Sequence, residues 1–226
     1  MVDFDKLSVN YKNILDKDIR IFGEKSEYFA KNKAELVRDR LGYKFQGHIL
    51  DYGCGIGLVA KNLRGYFDYT RVKISAYDKS GETVNKASEN SSNIFFTNDI
   101  NIIENNRFDA IIVANVLHHI AVSDRRLFLG GIKRILAENG RLFVFEHNPY
   151  NPLTRMVVGS SIIDKGASLL YMNEIIGLLT EIGMDTCEKS YITFFPKFLK
   201  FLRAFEPMMR GVPIGAQYMC VGRKRV

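Results

Sequence analysis

Short apolar runs alternate along this chain with segments in which apolar residues recur at a helical spacing. The runs HILDY, KISAYD, NIFFTND, FDAIIVAN and RLFVFEH are short and end at polar or glycine residues, as buried strands do. Between them, residues 58–66, 81–90 and 124–136 predict helices. This strand–helix alternation predicts an α/β protein with a doubly wound, mostly parallel sheet that helices cover on both faces.

The two ends of the chain depart from this pattern. Residues 10–23 and 26–42 predict an N-terminal cover of two helices, whereas residues 148–170 show no clear period. After a helix over 173–183, the runs SYITFF and AQYMCVGRK alternate apolar and polar residues, which predicts two partly exposed strands at an antiparallel edge. We therefore expect seven strands and one domain over 1–226, with helices in 1–45, a core in 46–186, and edge strands with a basic lid helix in 187–226.

Composition narrows the class of protein. The 226 residues are 46% hydrophobic, and the three cysteines are scattered without a C-x-x-C pair. Such cysteines disfavour a disulfide framework and a zinc site and fit a reducing cytoplasm. The N-terminus has no signal-peptide pattern, and no apolar run approaches the roughly 20 residues of a membrane span. We expect a cytoplasmic protein without a metal.

The net charge of +7 is concentrated at the C-terminal end, where residues 189–226 contain eight Lys or Arg residues against Glu206. Within this segment, residues 196–211 predict an amphipathic helix with apolar residues on one side (Phe198, Leu199, Phe201, Leu202 and Phe205) and bases on the other (Lys197, Lys200 and Arg203). We expect a lid that buries the aromatic residues over the substrate pocket, with peripheral contact with an anionic membrane as the alternative. Nucleic-acid binding is disfavoured because the bases are few and the segment is very apolar.

The segment DYGCGIG, between the first predicted strand and the helix after it, carries candidate chemistry. Gly53, Gly55 and Gly57 permit a sharp turn and the close approach of a ligand to the main chain. The spacing is G-x-G-x-G and not the G-x-G-x-x-G of dinucleotide-binding folds, because Leu58 stands at the sixth position. Asp51, two residues ahead, favours a ligand that carries positive charge.

Polar residues also stand at the ends of the next three predicted strands. Asp78 follows Gly57 by about 20 residues, where an acid can bind both hydroxyls of a ribose. Asp99 can accept a hydrogen bond from an adenine amino group, and Ile100 beside it can cover the purine face. Asn115 ends the fourth strand. Because the carboxyl ends of parallel strands meet at one edge of an open sheet, these residues predict a ligand site there.

Taken in order, the motifs ILDYGCGIG, AYDKS, TNDI, FDAIIVANVLHHI and LAENGRLFVFEH resemble those of the class I S-adenosylmethionine-dependent methyltransferases, over roughly residues 28–183. NVLHHI is similar to the small-molecule branch, as in quinone-type methyltransferases, and not to the N/D-P-P-Y signature of nucleic-acid amino-group methyltransferases. The resemblance implies a Rossmann-like methyltransferase fold with an antiparallel last strand. It also implies S-adenosyl-L-methionine as the cofactor.

The resemblance further implies roles for individual residues. It places the methionine part of the cofactor at Asp51 and the loop, the ribose at Asp78, and the adenine at Asp99. The cofactor-binding residues expected in this way are Tyr28, Lys33, Asp51, Gly53, Cys54, Gly55, Asp78, Lys79, Asp99, Ile100, Asn115 and Val116. For Tyr28 and Lys33, which stand five apart on a predicted helix, a solvated helix face is an equal alternative.

Histidines follow two of the predicted strands. His118 and His119 come after the fourth strand, beside the sulfonium end of such a site, and His147 ends the fifth. Their side-chain pKa lies near working pH, so all three are candidate catalytic residues that position the acceptor or remove a proton. Helix capping, core packing and simple turn chemistry are the alternatives.

These observations predict that the protein transfers a methyl group from S-adenosylmethionine to a small-molecule, glycan or lipid-linked acceptor, with oxygen favoured as the acceptor atom. Two other classes of function stay open. One is a module that binds S-adenosylmethionine without catalysis. The other is a nucleotide-dependent oxidoreductase, which the missing sixth-position glycine disfavours.

Overall fold

The computed structural model describes residues 11–89 and 91–225, and its centre is a seven-stranded sheet. The strands are β1 (Gly47–Tyr52), β2 (Val72–Tyr77), β3 (Phe95–Thr97), β4 (Phe108–Ala114), β5 (Leu136–His147), β6 (Met184–Ile192) and β7 (Gln217–Lys224). Their order is β3-β2-β1-β4-β5-β7-β6; β1 to β5 are parallel, and β7 is antiparallel to both of its neighbours. The predicted mostly parallel sheet with an antiparallel last strand is confirmed.

Helices flank the sheet. They are α1 (Tyr11–Asp18), α2 (Ser26–Leu41), α3 (Leu58–Tyr66), α4 (Gly81–Ser88), α5 (Ile100–Glu104), α6 (Arg125–Ile135), α7 (Pro152–Ser160), α8 (Met172–Glu181) and α9 (Glu206–Met209). Short 3-10 helices span Ile19–Phe22, Leu117–His119, Val122–Asp124 and Lys197–Phe205. Among the helices of the described residues, none has the length and apolarity needed to cross a bilayer.

The core lies on both faces of the sheet. Leu50 and Ile111 pack with α6 and α8 in one apolar cluster, and Ile49 and Ile112 pack with α2 and α3 in another. Successive residues of a strand point to opposite faces, so a strand covered on both sides must be apolar at every position. This requirement explains the continuous apolar runs in the sequence.

α7 lies in the stretch where the sequence showed no period. Asn151 caps its first turn by accepting a hydrogen bond from the Thr154 backbone N–H at 3.0 Å, and Pro152 stands at its start. An Asn-Pro pair is a helix start signal that does not depend on periodicity. The helix is nine residues long, which leaves little room for a recognisable period.

β7 is not the partly exposed edge strand that its alternating pattern predicted. It lies between β5 and β6, and residues 217–222 are all buried, so β6 forms the edge. The polar residues at its start have partners inside the protein. Gln217 Oε1 accepts a hydrogen bond from Lys33 Nζ at 2.7 Å, and the Tyr218 hydroxyl donates to the Leu170 carbonyl at 2.8 Å.

Residues 196–211 do not form the single amphipathic helix expected from the sequence. A 3-10 helix with non-helical dihedral angles at Leu199 is followed by α9. Phe198, Phe201 and Phe205 are exposed. The prediction that these aromatic residues are buried over the substrate pocket is therefore wrong.

Candidate active site

Two cavities open where the loop 53–57 leaves the carboxyl end of β1. The first has a volume of about 180 Å³ and lies between α1, α2 and α7, and the second has about 250 Å³ and lies beside the end of β2. Gly53, Gly55, Asn115 and His119 line both. Two binding compartments therefore meet at these residues.

The second cavity is a largely apolar slot with a carboxylate at one side. Its apolar walls are Tyr52, Tyr77, Val116, Ile120 and Phe128. Asp78 stands beside Lys79, and its two carboxylate oxygens accept hydrogen bonds from the backbone N–H groups of Gly55 at 2.9 Å and Ser80 at 3.0 Å. The loop thereby fixes the carboxylate at the sheet edge. Aromatic walls and a fixed acid fit a purine and its ribose hydroxyls.

The glycine loop is packed tightly by the protein itself. A Cβ on Gly53, at φ 77°, would lie 2.5 Å from Val116 Cγ2, and one on Gly57, at φ 75°, would lie 2.7 Å from Phe96 Cε1. Gly53 and Gly55 line both cavities, whereas Gly57 lines neither. Close approach to a ligand thus applies to the first two glycines, and Gly57 serves the packing of the loop.

Asp51 lies beneath the loop and not at its mouth. Its side chain is 1% exposed, and Oδ2 accepts a hydrogen bond from the Ala60 backbone N–H at 3.1 Å. Burial raises the pKa of Asp51 to about 7. Asp51 lines neither cavity. Its carboxylate binds the first turn of α3, and the ligand contact expected from the sequence is not seen.

Lys33 reaches from α2 to the floor of the first cavity, which Cys54 also lines. Its side chain is 3% exposed, with Nζ bound to Gln217. Burial lowers the pKa of Lys33 to about 8, although the charges of Glu146 and Asp51 favour its protonated form. Lys33 therefore stays mostly charged near neutral pH, and a buried cation on a cavity floor suits a carboxylate group.

Tyr28 does not accompany Lys33 into the cavity. Its ring packs against Arg203, whose guanidinium carbon lies 4.2 Å from the ring centroid and whose Nη2 donates to Glu24 at 2.8 Å. Burial raises the pKa of Tyr28 to about 12. Five residues of α-helix rotate the two side chains about 140° apart, which explains why only Lys33 faces the site.

Asp99 and Ile100 lie outside the second cavity. β3 ends at Thr97, two residues before the predicted end, and Asp99 caps α5 by accepting from the Asn101 backbone N–H at 2.9 Å. Ile100 lines a neighbouring groove along α6. The structure therefore does not bring this pair to the slot, and the apolar walls there come from other elements.

Glu146, at the end of β5, organises the turn that follows β4. It is fully buried, and Oε1 accepts hydrogen bonds from the backbone N–H groups of Val116 at 3.0 Å and Leu117 at 2.7 Å. Oε2 lies 2.5 Å from His118 Nδ1. The carboxylate thus holds both the turn and the first histidine in place.

Asp164 completes a cluster of three histidines and two acids. Its Oδ1 lies 3.3 Å from His118 Nε2 and 3.5 Å from His119 Nε2, and the ring of His147 packs against His118 with centroids 5.2 Å apart. All four of these side chains line the first cavity.

The charges in this cluster follow from burial and from the two acids. Burial opposes protonation of His118, but Glu146 and Asp164 outweigh it and raise its pKa to about 9. Burial and the charge of His118 lower the pKa of His119 and of His147 to about 4. At neutral pH, charged His118 therefore lies between two carboxylates, with neutral imidazoles on the cavity wall.

The ligand atoms of His118, His147 and Asp164 all lie within 4.8 Å of one another, close enough to coordinate a metal ion. The prediction of no metal site is based on the spacing of possible ligands along the chain. That spacing does not show that these three side chains meet in the fold. The contacts of His118 with Glu146 and Asp164 account for its position without an ion.

The sequence reasoning missed six polar residues of the first cavity: Asp18, Ser26, Thr154, Ser161, Asp164 and Gln217. Ser161 and Asp164 follow α7 in the stretch without a period. Asp18 Oδ2 is buried and has no hydrogen-bond partner among the described residues. The Asn-Pro helix start was the one sequence signal that pointed to this wall of the site.

The His118 cluster predicts that the protein loses stability in mildly alkaline solution. Histidine in the unfolded chain has a pKa of about 6.5, whereas folded His118 has a pKa of about 9. Between these values the folded state binds more protons. The contribution of His118 is therefore full below the lower value and is lost as the pH rises through the upper one. Urea unfolding from about pH 6 to about pH 10 measures this loss.

His118→Gln is the comparison for this titration. Glutamine retains an amide that can donate a hydrogen bond to Glu146, but its side chain does not titrate. The decline in stability above about pH 6.5 should therefore become shallower. A wild-type curve that matches the variant's slope would show that His118 is not charged.

Comparisons with known proteins bear on this fold. Residues 50–144 match a family model described as "Methyltransferase domain". A search of curated proteins found no match to the chain.

Several solved structures are similar to this chain. A TehB-like S-adenosylmethionine-dependent methyltransferase from Corynebacterium glutamicum is 16% identical with a TM-score of 0.66, and the alignment covers 97% of this chain and 99% of that one. An S-adenosylmethionine-dependent methyltransferase from Archaeoglobus fulgidus is 13% identical with a TM-score of 0.66, over 91% and 97% of the two chains. The mitomycin 7-O-methyltransferase is 14% identical with a TM-score of 0.65, over 87% of this chain and 54% of that one, so this chain spans about half its length.

These structures establish the Rossmann-like methyltransferase fold for the chain. The family match covers the glycine loop, Asp78 and the histidine turn, which line the two cavities, whereas α1, α2, α7 and His147 lie outside it. Fold and domain match agree with the site geometry: residues 50–144 match the methyltransferase domain, and the chain has the Rossmann-like methyltransferase fold.

Proposed function

We propose that the protein is an S-adenosylmethionine-dependent methyltransferase that transfers a methyl group to an oxygen of a small-molecule, glycan or lipid-precursor acceptor, in the manner of the small-molecule, quinone-type branch. The observation that carries the proposal is the meeting of the adenosine slot and the histidine-lined cavity at Gly55 and His119. The NVLHHI turn supports the choice of branch. Peripheral contact of residues 196–211 with an anionic membrane is part of the proposal.

The chain's own residues divide the cofactor between the two cavities. Asp78 binds the ribose hydroxyls in the second cavity, and Lys33 binds the methionine carboxylate in the first. Gly55 and Asn115, which border both cavities, lie along the connection. Asn115 has a φ of 57°, a left-handed conformation that asparagine tolerates, and it turns the chain at the end of β4. When bound, S-adenosylmethionine supplies a methyl group on a sulfonium, which is a good leaving group.

His119 and His147 are the residues that we assign to the acceptor. Each is neutral and can take the hydroxyl proton as the oxygen–methyl bond forms and the carbon–sulfur bond breaks. Asp164, 3.5 Å from His119, stabilises the imidazolium that results. His118 is already protonated and is enclosed by two acids, so it acts as a positioning residue.

The lowered pKa of His119 and His147, about 4 for each, limits the kind of hydroxyl that fits. A weak base removes an acidic proton far more readily than an alcoholic one. This favours an acceptor with a phenolic or enolic hydroxyl, for which positioning in line with the sulfonium supplies most of the rate.

We expect His119→Ala or His147→Ala to lower turnover while S-adenosylmethionine binding stays nearly unchanged. Loss of a general base reduces the rate by about 10²–10⁴-fold. The measurement is transfer of labelled methyl groups to fractions of an extract from the source cells, with cofactor binding followed by calorimetry.

His48→Ala is the matched control for these variants. Its ring lies at the opposite end of β1, with Nε2 2.8 Å from Ser75 Oγ, and lines neither cavity. Unchanged turnover in both test variants would show that neither histidine takes part. Cofactor binding without transfer to any fraction would favour a non-catalytic binding module.

A further inference from the structure

The elements that wall the first cavity are apolar on the outside as well as the inside. Their inward side chains include Ile19, Phe22, Val157 and Ile163. Their outward, exposed side chains include Ile21, Leu153, Met156 and Ile162. A helix that faces only water carries polar residues on its outer side. Exposed apolar side chains here therefore indicate a surface that contacts a partner or a lipid surface.

The segment 198–214 extends the same surface. Phe198, Phe201 and Met208 are 73%, 71% and 83% exposed. The segment is held against the cavity wall, since Asn151 Nδ2 donates to the Ile214 carbonyl at 2.7 Å and Arg203 pairs with Glu24. We call the outward apolar side chains of residues 21, 153–162 and 198–214 the mouth face.

The charge around the mouth face is positive. The exposed bases on these elements are Arg20, Arg155, Lys165, Lys197 and Lys200. The acids in 152–165 and 196–214 are Asp164, which lies among the histidines, and Glu206, which accepts from the backbone N–H groups of Phe194 at 3.1 Å and Phe195 at 3.2 Å. On the segment 18–24, Asp18 lines the first cavity and Glu24 pairs with Arg203. None of these four acids is exposed, whereas the five bases are.

Apolar side chains surrounded by bases are the pattern of proteins that lie on anionic lipid surfaces. A second copy of the chain fits less well, because a two-fold contact through this face would set its bases against the same bases. The charges therefore select an anionic bilayer as the occupant.

The position of the mouth face bears on the acceptor. The first cavity, at about 180 Å³, has room for a reacting head group, and its apolar wall continues outward onto the mouth face. Asp18 and the histidines supply polar groups on the wall of this cavity. A longer apolar chain on the acceptor would leave the cavity across a surface that itself lies in lipid.

We infer that the mouth face docks on an anionic bilayer and that the acceptor is an amphiphile whose head enters the first cavity while its chain stays in the membrane. The docking depends on the surface alone. The acceptor class rests on the proposed methyl transfer.

The docking is tested by sedimentation with vesicles of phosphatidylcholine alone and of phosphatidylcholine with about one third phosphatidylglycerol. Wild-type protein should bind the anionic vesicles at low salt and dissociate as salt is added. Phe198→Ser with Phe201→Ser, and separately Arg155→Gln with Lys197→Gln and Lys200→Gln, should each reduce binding at least about tenfold. Leu127→Ser, at an exposed apolar residue of α6 outside the mouth face, should bind as wild type does.

Cofactor binding by the same variants separates the two proposals. The substituted residues line neither cavity, so calorimetry should give wild-type affinity for S-adenosylmethionine and show that each variant is folded. Normal cofactor binding without sedimentation at low salt overturns the docking and leaves the methyl transfer standing. If the protein sediments with anionic vesicles but does not bind S-adenosylmethionine, the methyl transfer is overturned and the docking stands. Association of the protein with itself in place of vesicle binding also overturns the docking.

The acceptor class has its own readout. Membrane and aqueous fractions of the source cells are incubated with the enzyme and methyl-labelled cofactor, and the products are extracted with organic solvent. Label in the extracted lipids of the membrane fraction is the expected result. Label confined to water-soluble products overturns the amphiphile.

Discussion

Glu146→Ala is expected to lower the free energy of unfolding by about 3–6 kcal/mol, a large part of the stability of an ordinary domain. The variant leaves the backbone N–H groups of Val116 and Leu117 without an acceptor in a fully buried position. It also removes one of the two acids that offset the charge of His118. Urea or thermal unfolding measures the loss.

Two further variants define the source of this effect. Glu146→Gln retains an acceptor oxygen but not the charge, so it should lose less stability and should lower the pKa of His118, which NMR titration can follow. Glu138→Ala removes an exposed acid that pairs with Lys224 and should change stability by less than about 1 kcal/mol. If Glu146→Ala unfolds at the same urea concentration as Glu138→Ala, the role of Glu146 in the turn is refuted.

Asp78→Ala is expected to weaken S-adenosylmethionine binding by about 10²–10⁴-fold from a wild-type Kd in the micromolar range. Two hydrogen bonds to a carboxylate are lost, each of about 1.5–3 kcal/mol. The backbone N–H groups of Gly55 and Ser80 lose their acceptor as well, so the loop between the cavities is loosened. Calorimetry with S-adenosylmethionine and its demethylated product gives both affinities.

The controls for Asp78 test the position of the adenosine slot. Asp78→Asn keeps the shape and acceptor oxygen and should retain part of the affinity. Asp99→Ala removes only the cap of α5 and should leave binding nearly unchanged. An equal loss at Asp99 would place the adenine where the sequence pattern put it and not in the second cavity. Binding of NAD in preference to S-adenosylmethionine would overturn the identity of the cofactor.

The sheet was predictable because burial on both faces leaves a direct trace in the sequence. Ile111 and Ile112 are adjacent and belong to opposite apolar clusters, and only a doubly covered strand requires that. The same reasoning failed for β7, whose polar residues at 217 and 218 have hydrogen-bond partners inside the protein. A pattern of polar and apolar residues cannot show whether a polar side chain is exposed to water or hydrogen bonds to a buried partner.

The acids of the site were harder to place than its strands. Asp51, Asp78 and Asp99 each stand at or near the end of a predicted strand, yet only Asp78 lines a cavity. One residue of strand length decides whether such an acid faces a ligand or caps a helix, and strand ends are poorly defined by the sequence. Asp164 was missed because its partner His118 lies 46 residues away, and no local pattern links the two.

The place of β7 in the sheet has a consequence for the order in which the protein assembles. β7 is the last strand of the sheet to leave the ribosome, yet it lies between β5 and β6. During synthesis, β6 therefore has no neighbouring strand to pair with until the chain has grown past residue 217 and β7 has inserted. Gln217, the partner of Lys33, arrives with the same strand. The wall of the first cavity is thus complete only when β7 is in place, so a nascent chain should gain affinity for S-adenosylmethionine only after β7 has emerged.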